Sequence, residues 1–182
     1  MIGIAFAFAI VGQNPAAWAQ ARWYDARGAL VQLRDTDAQA LPPDSAAEGF
    51  SAAALVDADR GTAWATPWEP PPEGATCGKA PGGKVRVTFD SARLKQIRVF
   101  PGLDDPSLRS LQQLPAGVDV TFPDGTCLHM PLTEKAEEQR LDIDSETPIK
   151  SIEISVPNVH ESTDDRAAEV VGLTNVALFS RP

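Results

Sequence analysis

Leu55-Val56-Asp57-Ala58-Asp59-Arg60-Gly61-Thr62-Ala63-Trp64 is the stretch whose reading decides the fold. Neither the alternation of a strand nor the 3.6-residue period of a helix runs through it. Two acids, a glycine and a threonine lie between an apolar pair and a tryptophan. Acids, Gly and Thr turn a chain, and their side chains tie back to nearby backbone amides. The apolar ends then anchor in a core, Trp64 being the large anchor. This predicts a structured Ω-like loop, held by Asp57, Asp59 and Thr62, that feeds a β-sandwich.

Downstream of this loop the chain alternates. Val85, Val87 and Phe89 define one apolar face, and Ile97 and Val99 a second. Val118, Val120 and Phe122 lead into Pro123-Asp124-Gly125-Thr126, which has the chemistry of a hairpin turn. Leu128, Met130 and Leu132 follow, then Leu141 and Ile143, then Ile152, Ile154 and Val156, and finally Leu173, Val176, Leu178 and Phe179. Seven or eight short strands separated by turn signals predict an all-β, antiparallel β-sandwich. Residues 66–83 hold Trp68, three consecutive prolines, Cys77 and four glycines, and read as a long irregular loop.

Upstream the character differs. Residues 1–12 include the uncharged run Ile2–Gly12. Eleven helical residues reach about 16 Å, short of the roughly 30 Å of a bilayer core. Three readings stay open. The run is an export h-region, with Ala17-Trp18-Ala19 as a small-x-small cleavage site. Or it ends a membrane helix flanked by Trp18, Arg22, Trp23 and Tyr24. Or it packs on a protein partner. The expectation adopted is a membrane or export segment, with the folded domain outside the cytoplasm. Residues 13–43 read as helix or linker: Asn14 caps, Pro15 opens the first turn, and Pro42-Pro43 closes the segment. The β-sandwich domain is placed at 44–182.

Composition excludes several classes. The 182 residues carry a net charge of -9 with no Lys/Arg cluster, which argues against nucleic acid and against docking on anionic lipid through basic residues. Sixteen prolines disfavour long helices. The two cysteines, Cys77 and Cys127, form no CxxC pair, so a zinc ribbon is not supported; they are either a disulfide or two separate thiols. Two histidines are present. His129 sits in a strand opposite Leu128 and Met130, as a surface residue or as filler beside Cys127. His160 precedes Glu161, Asp164 and Asp165, a combination that reads as a solvated loop before it reads as a metal or proton-transfer cluster. No GxSxG, HExxH or P-loop occurs, and no enzymatic activity is expected.

From Ser45 to Phe179 the chain resembles the discoidin-like, galactose-binding-like jelly roll, nearest to the NADase-type glycan-binding domain of bacterial surface proteins. The resemblance rests on Ala54-Leu55-Val56-Asp57-Ala58-Asp59 with Thr62-Ala63-Trp64, on Val85–Phe89, on Ile97–Gly102, on Leu114–Gly125 and on Gly172–Phe179, in that order. It implies a jelly-roll sandwich whose loops at one end form a ligand rim. The rim loops are then Asp57–Gly83, Gly102–Gln113 and Pro157–Val171, with Trp68, Glu69, Arg109, Gln112, Gln113 and His160 as ligand-binding candidates. In calcium-holding relatives the loop acid and the closing strand contribute ligands. Here Ala58 stands where the family often has Gly and Asn175 where it often has Glu, so calcium is disfavoured and no cofactor is expected. The function this implies is non-catalytic recognition of glycan or cell-wall material at the cell envelope. The alternative is a structural or assembly subunit that binds other proteins through the sandwich and the N-terminal apolar segment.

Overall fold

The computed structural model describes residues 29–109, 112–160 and 170–181. Ile2–Gly12, the capped turn at Asn14 and the acids from Glu161 to Asp165 lie outside the described residues. Among the described residues ten strands form two five-stranded sheets in which every pairing between strands is antiparallel. The first sheet contains β1 (Val31–Gln32), β3 (Trp64–Pro67), β5 (Leu94–Pro101), β8 (Gln139–Asp142) and β10 (Val170–Ser180). Its order is β1-β10-β5-β8, and β3 also pairs with β10. The second sheet runs β2 (Thr36–Leu41), β4 (Lys84–Ala92), β9 (Ile149–Val159), β6 (Pro115–Thr121), β7 (Cys127–Pro131). The all-β antiparallel sandwich expected from the sequence is the architecture observed.

Alternation explains the layers. Val85 and Val87 of β4, Ile152 and Ile154 of β9 and Val118 and Val120 of β6 point inward and are buried. They meet Ile97 and Val99 of β5 and Leu173, Val176 and Leu178 of β10 in one core. Removing such side chains from water is the main drive for two sheets to pack. The inward phase of β10 changes between Leu173 and Val176, and the intervening Thr174 is buried with its hydroxyl donating to the Gly102 carbonyl at 2.7 Å.

One expectation is corrected. The described part of segment 13–43 holds strands and no helix: β1 pairs with β10 and β2 with β4, so the sandwich begins before residue 44. β2 is hard to read because its inward residues are Ala38 and Ala40, small side chains that also favour helices. What makes them strand is the ladder offered by Val85 and Val87 across from them. Likewise β3 takes Trp64–Pro67 out of the apparent loop. Trp64 is fully buried opposite Leu173.

The opening loop is tied by its own side chains. Asp57 Oδ1 accepts from the Asp59 amide, Asp57 Oδ2 from the Thr62 hydroxyl and Asp59 Oδ1 from the Gly61 amide, each at 2.8 Å. Ala58 is held at φ +61°, in the left-handed region where a Cβ is strained. Replacing Ala58 by Gly relieves that strain at a modest entropic penalty in the unfolded chain. The expected result is a variant at least as stable as wild type, by about 0–1 kcal/mol in urea denaturation; a loss above about 1 kcal/mol would show that the loop does not hold this conformation in solution. At the 122–126 hairpin, Gly125 has φ +86° and Asp124 Oδ1 accepts the Thr126 amide at 2.9 Å. Hydrogen bonds from the Thr126 backbone and side chain hold the Asp124 carboxyl below its ordinary value.

Candidate functional site

The two ends of the sandwich differ. One end carries the β4–β5 turn, the 122–126 hairpin and the 143–148 connection. A groove of about 1090 Å3 lies there. Three of the acids that line it are engaged: Asp142 accepts from Gln96 Nε2 at 2.6 Å, Asp144 pairs with Lys95, and Asp124 Oδ1 accepts the Thr126 amide. The opposite end carries the long connections, among them residues 42–63, 68–83 and 102–114.

At that end the candidate rim residues have separate fates. Arg109 ends a four-residue helix, Pro106–Arg109. Its guanidinium donates to three carbonyls, those of Pro101 at 2.5 Å, Leu103 at 3.3 Å and Glu134 at 2.9 Å. Burial lowers its pKa and the Asp104 carboxylate raises it, the first effect being larger. His160 Nε2 lies 3.0 Å from the Leu132 carbonyl, which can only accept, so this nitrogen carries the proton. His160 Nδ1 is 3.6 Å from a Glu134 carboxylate oxygen. Arg109 and His160 therefore converge on segment 132–134 and clasp it to the neighbouring loops. Gln112 is only 5% exposed, so its amide is not presented to a ligand outside the fold. Neither Nε2 nor Oε1 of Gln112 has a hydrogen-bond partner among the described residues. Gln113 is half-buried, and its backbone N–H donates to the Val170 carbonyl at 2.9 Å. Trp68 packs against the core with its indole nitrogen buried, whereas Glu69 is exposed.

What this end presents instead is a groove of about 500 Å3 between the 57–63 loop and the 102–105 loop. Phe50, Arg60, Thr62, Leu103, Asp104 and Asp105 line it. Phe50 is half-buried, leaving part of its ring open. The Arg60 guanidinium carbon lies 5.0 Å from the centroid of the buried Phe100 ring. A cation over an aromatic face is held in place electrostatically while its N–H edges remain donors. Thr62 is tied to Asp57 and so fixes the loop that carries Arg60. The groove thus combines an apolar ring, a positioned planar cation and carboxylate acceptors.

Phe50 and Arg60 were not foreseen from the sequence. The available signals were a lone aromatic in a turn-rich lead-in and a lone cation inside an acidic loop. Only the approach of residues 102–105 to both makes them a site.

No family model matches the sequence, and no curated protein matches it. Solved structures do. The family 32 carbohydrate-binding module from C. perfringens NanJ, in complex with galactose, aligns with a TM-score of 0.56 at 13% identity, over 84% of this chain and 100% of that one. The lectin domain of lectinolysin complexed with Lewis b antigen aligns at 0.53 and 13% identity, over 82% and 95%. Truncated AlyQ, with family 32 module and alginate lyase domains, aligns at 0.54 and 14% identity, over 83% of this chain and 33% of that one. At these identities the likeness shows the fold alone, an antiparallel β-sandwich of the kind those modules have.

Proposed function

We propose that this sandwich is a carbohydrate-recognition module and that its glycan site is the groove between the 57–63 and 102–105 loops. The observation that carries the reading is the convergence of the Phe50 ring with Arg60, Asp104 and Asp105 in one groove. A sugar ring offers an apolar C–H face to an aromatic ring and a rim of hydroxyls to planar donors and acceptors. The sandwich neighbours with bound galactose and Lewis b support the same reading. We take the module as non-catalytic. Glycosidase carboxylates flank the scissile bond from opposite sides, whereas Asp104 and Asp105 are adjacent in one loop.

The assembly-subunit alternative calls for a contiguous apolar patch. The exposed large apolar side chains among the described residues are Val31 and Leu128, on different sheets. We further infer an oxidising compartment, reached with Ile2–Gly12 as the membrane or export segment. The Cys77–Cys127 disulfide supports this, since such bonds rarely persist in a reducing cytosol. Among the described residues no helix is long and apolar enough to cross a membrane.

A glycan array followed by calorimetry tests the site. Wild type is expected to retain galactose-containing glycans. Phe50→Ala and Arg60→Ala are each expected to weaken binding about tenfold, or about 1.4 kcal/mol, with the melting temperature unchanged. A wild type that retains no glycan, or variants that bind as wild type does, would refute the assignment.

A further inference from the structure

A second groove, of about 320 Å3, lies on the outer face of the other sheet. Its floor is the cross-strand pair Asp119 (β6) and His129 (β7), which stand directly opposite in register. Its walls include Pro71, Ala75, Ala80 and Pro157, with Asn158 beside them. Residues 71–80 form the roof, and they are pinned from below. Cys77 is bonded to Cys127, the Gly78 amide donates to Asp119 Oδ2 at 2.7 Å, and Lys84 Nζ donates to the Gly78 carbonyl at 2.5 Å.

Asp119 is 2% exposed, a buried carboxylate on a sheet face that solvent would ordinarily cover. Its two oxygens are satisfied by Gly78 and by His129 Nδ1, the latter at 2.8 Å. A carboxylate only accepts, so Nδ1 holds the proton, and in the neutral ring Nε2 is left as an acceptor. The imidazole itself is 44% exposed. A Cβ added to Gly117 would fall 2.9 Å from His129 Nε2 and 2.8 Å from Asn158 Oδ1. The ring therefore lies over Gly117 with the Asn158 side-chain oxygen on the same side of the strand, and both residues line the groove. Asp119 is also within 4.8 Å of both sulfurs, but these are bonded to each other and offer no thiolate to a metal.

We propose that this groove is a second binding site and that it takes one neutral sugar ring. The carboxylate is internally matched, and the side chains that line the groove bring no cation to pair with an anionic ligand. What remains on offer is a fixed imidazole acceptor, an exposed amide with donors and acceptor, and proline and alanine walls for C–H faces. The volume is at the lower end for small-molecule sites and matches a single ring better than a chain. The Asp119–His129 bond sets the tautomer in advance, so binding does not have to order it.

NMR titration of the disulfide-bonded protein with galactose, and with sialic acid as the charged comparator, reads both grooves at once. The expected result is a galactose-dependent shift of the His129 imidazole and Asn158 amide signals, no such shift with sialic acid, and about tenfold weaker binding at this groove in Asn158→Ala, as for one lost hydrogen bond. Shifts confined to Phe50 and Arg60 would overturn the second site and leave the first standing. Shifts confined to His129 and Asn158 would do the reverse. Silence at both overturns both. Equal response to sialic acid overturns the neutral-ligand assignment.

Discussion

Trp64→Ala is expected to remove about 3–5 kcal/mol of unfolding free energy, measured by urea denaturation. Trp64 is fully buried, belongs to the single core and lies opposite Leu173 of β10. Truncation deletes the transfer energy of an indole and leaves a cavity that two sheets in register cannot close. Its indole nitrogen has no hydrogen-bond partner among the described residues, so the loss is one of packing. Trp64→Phe, which refills part of the space, is expected to recover about half of the difference. Because Trp64 ends the loop that carries Arg60 and Thr62, the alanine variant is also expected to lose glycan affinity, whereas Phe50→Ala loses affinity without stability. A loss below about 1 kcal/mol for Trp64→Ala would mean that the loop is not anchored here.

Breaking the Cys77–Cys127 bond has a comparable expected effect by another route. The bond closes a loop across a sequence separation of 50 residues. In the chain-entropy treatment a loop of that length removes about 4 kcal/mol of unfolded-state freedom. The bond also pins the 71–80 segment, which otherwise hangs on the Gly78–Asp119 and Gly78–Lys84 hydrogen bonds. The Cys77→Ser/Cys127→Ser variant and the reduced wild type are therefore expected to unfold at matching, lower denaturant concentrations than the oxidised protein. Thiol labelling of the unfolded, unreduced protein should find no reactive cysteine. Coincident midpoints for all three would overturn the bond as a source of stability.

Much of the fold was legible because period-2 burial is written in the chain. Strands β4, β6 and β9 carry buried apolar residues at alternate positions, and a slip by one residue would expose the whole set. The missed strands, β1, β2 and β3, are short or lined with alanine, and they exist because a neighbour offers an unpaired ladder. Local propensity does not contain that offer. The candidate rim was legible only as chemistry. Arg109, Gln112 and Trp68 have the right side chains, but tertiary structure turns them to carbonyls and core.

The amino-acid sequence by itself determined the all-β class, the structured acidic loop before Trp64, the hairpin at Asp124-Gly125 and the net charge of -9. These are local or compositional properties, readable from neighbours a few residues apart. Tertiary structure alone decided that Cys77 meets Cys127, that Asp119 buries its charge against His129, and that Phe50 and Arg60 share a groove with Asp104 and Asp105. Each of these joins side chains from separate stretches of the chain. Such pairings are chosen by the packing of two sheets and not by any preference within one segment.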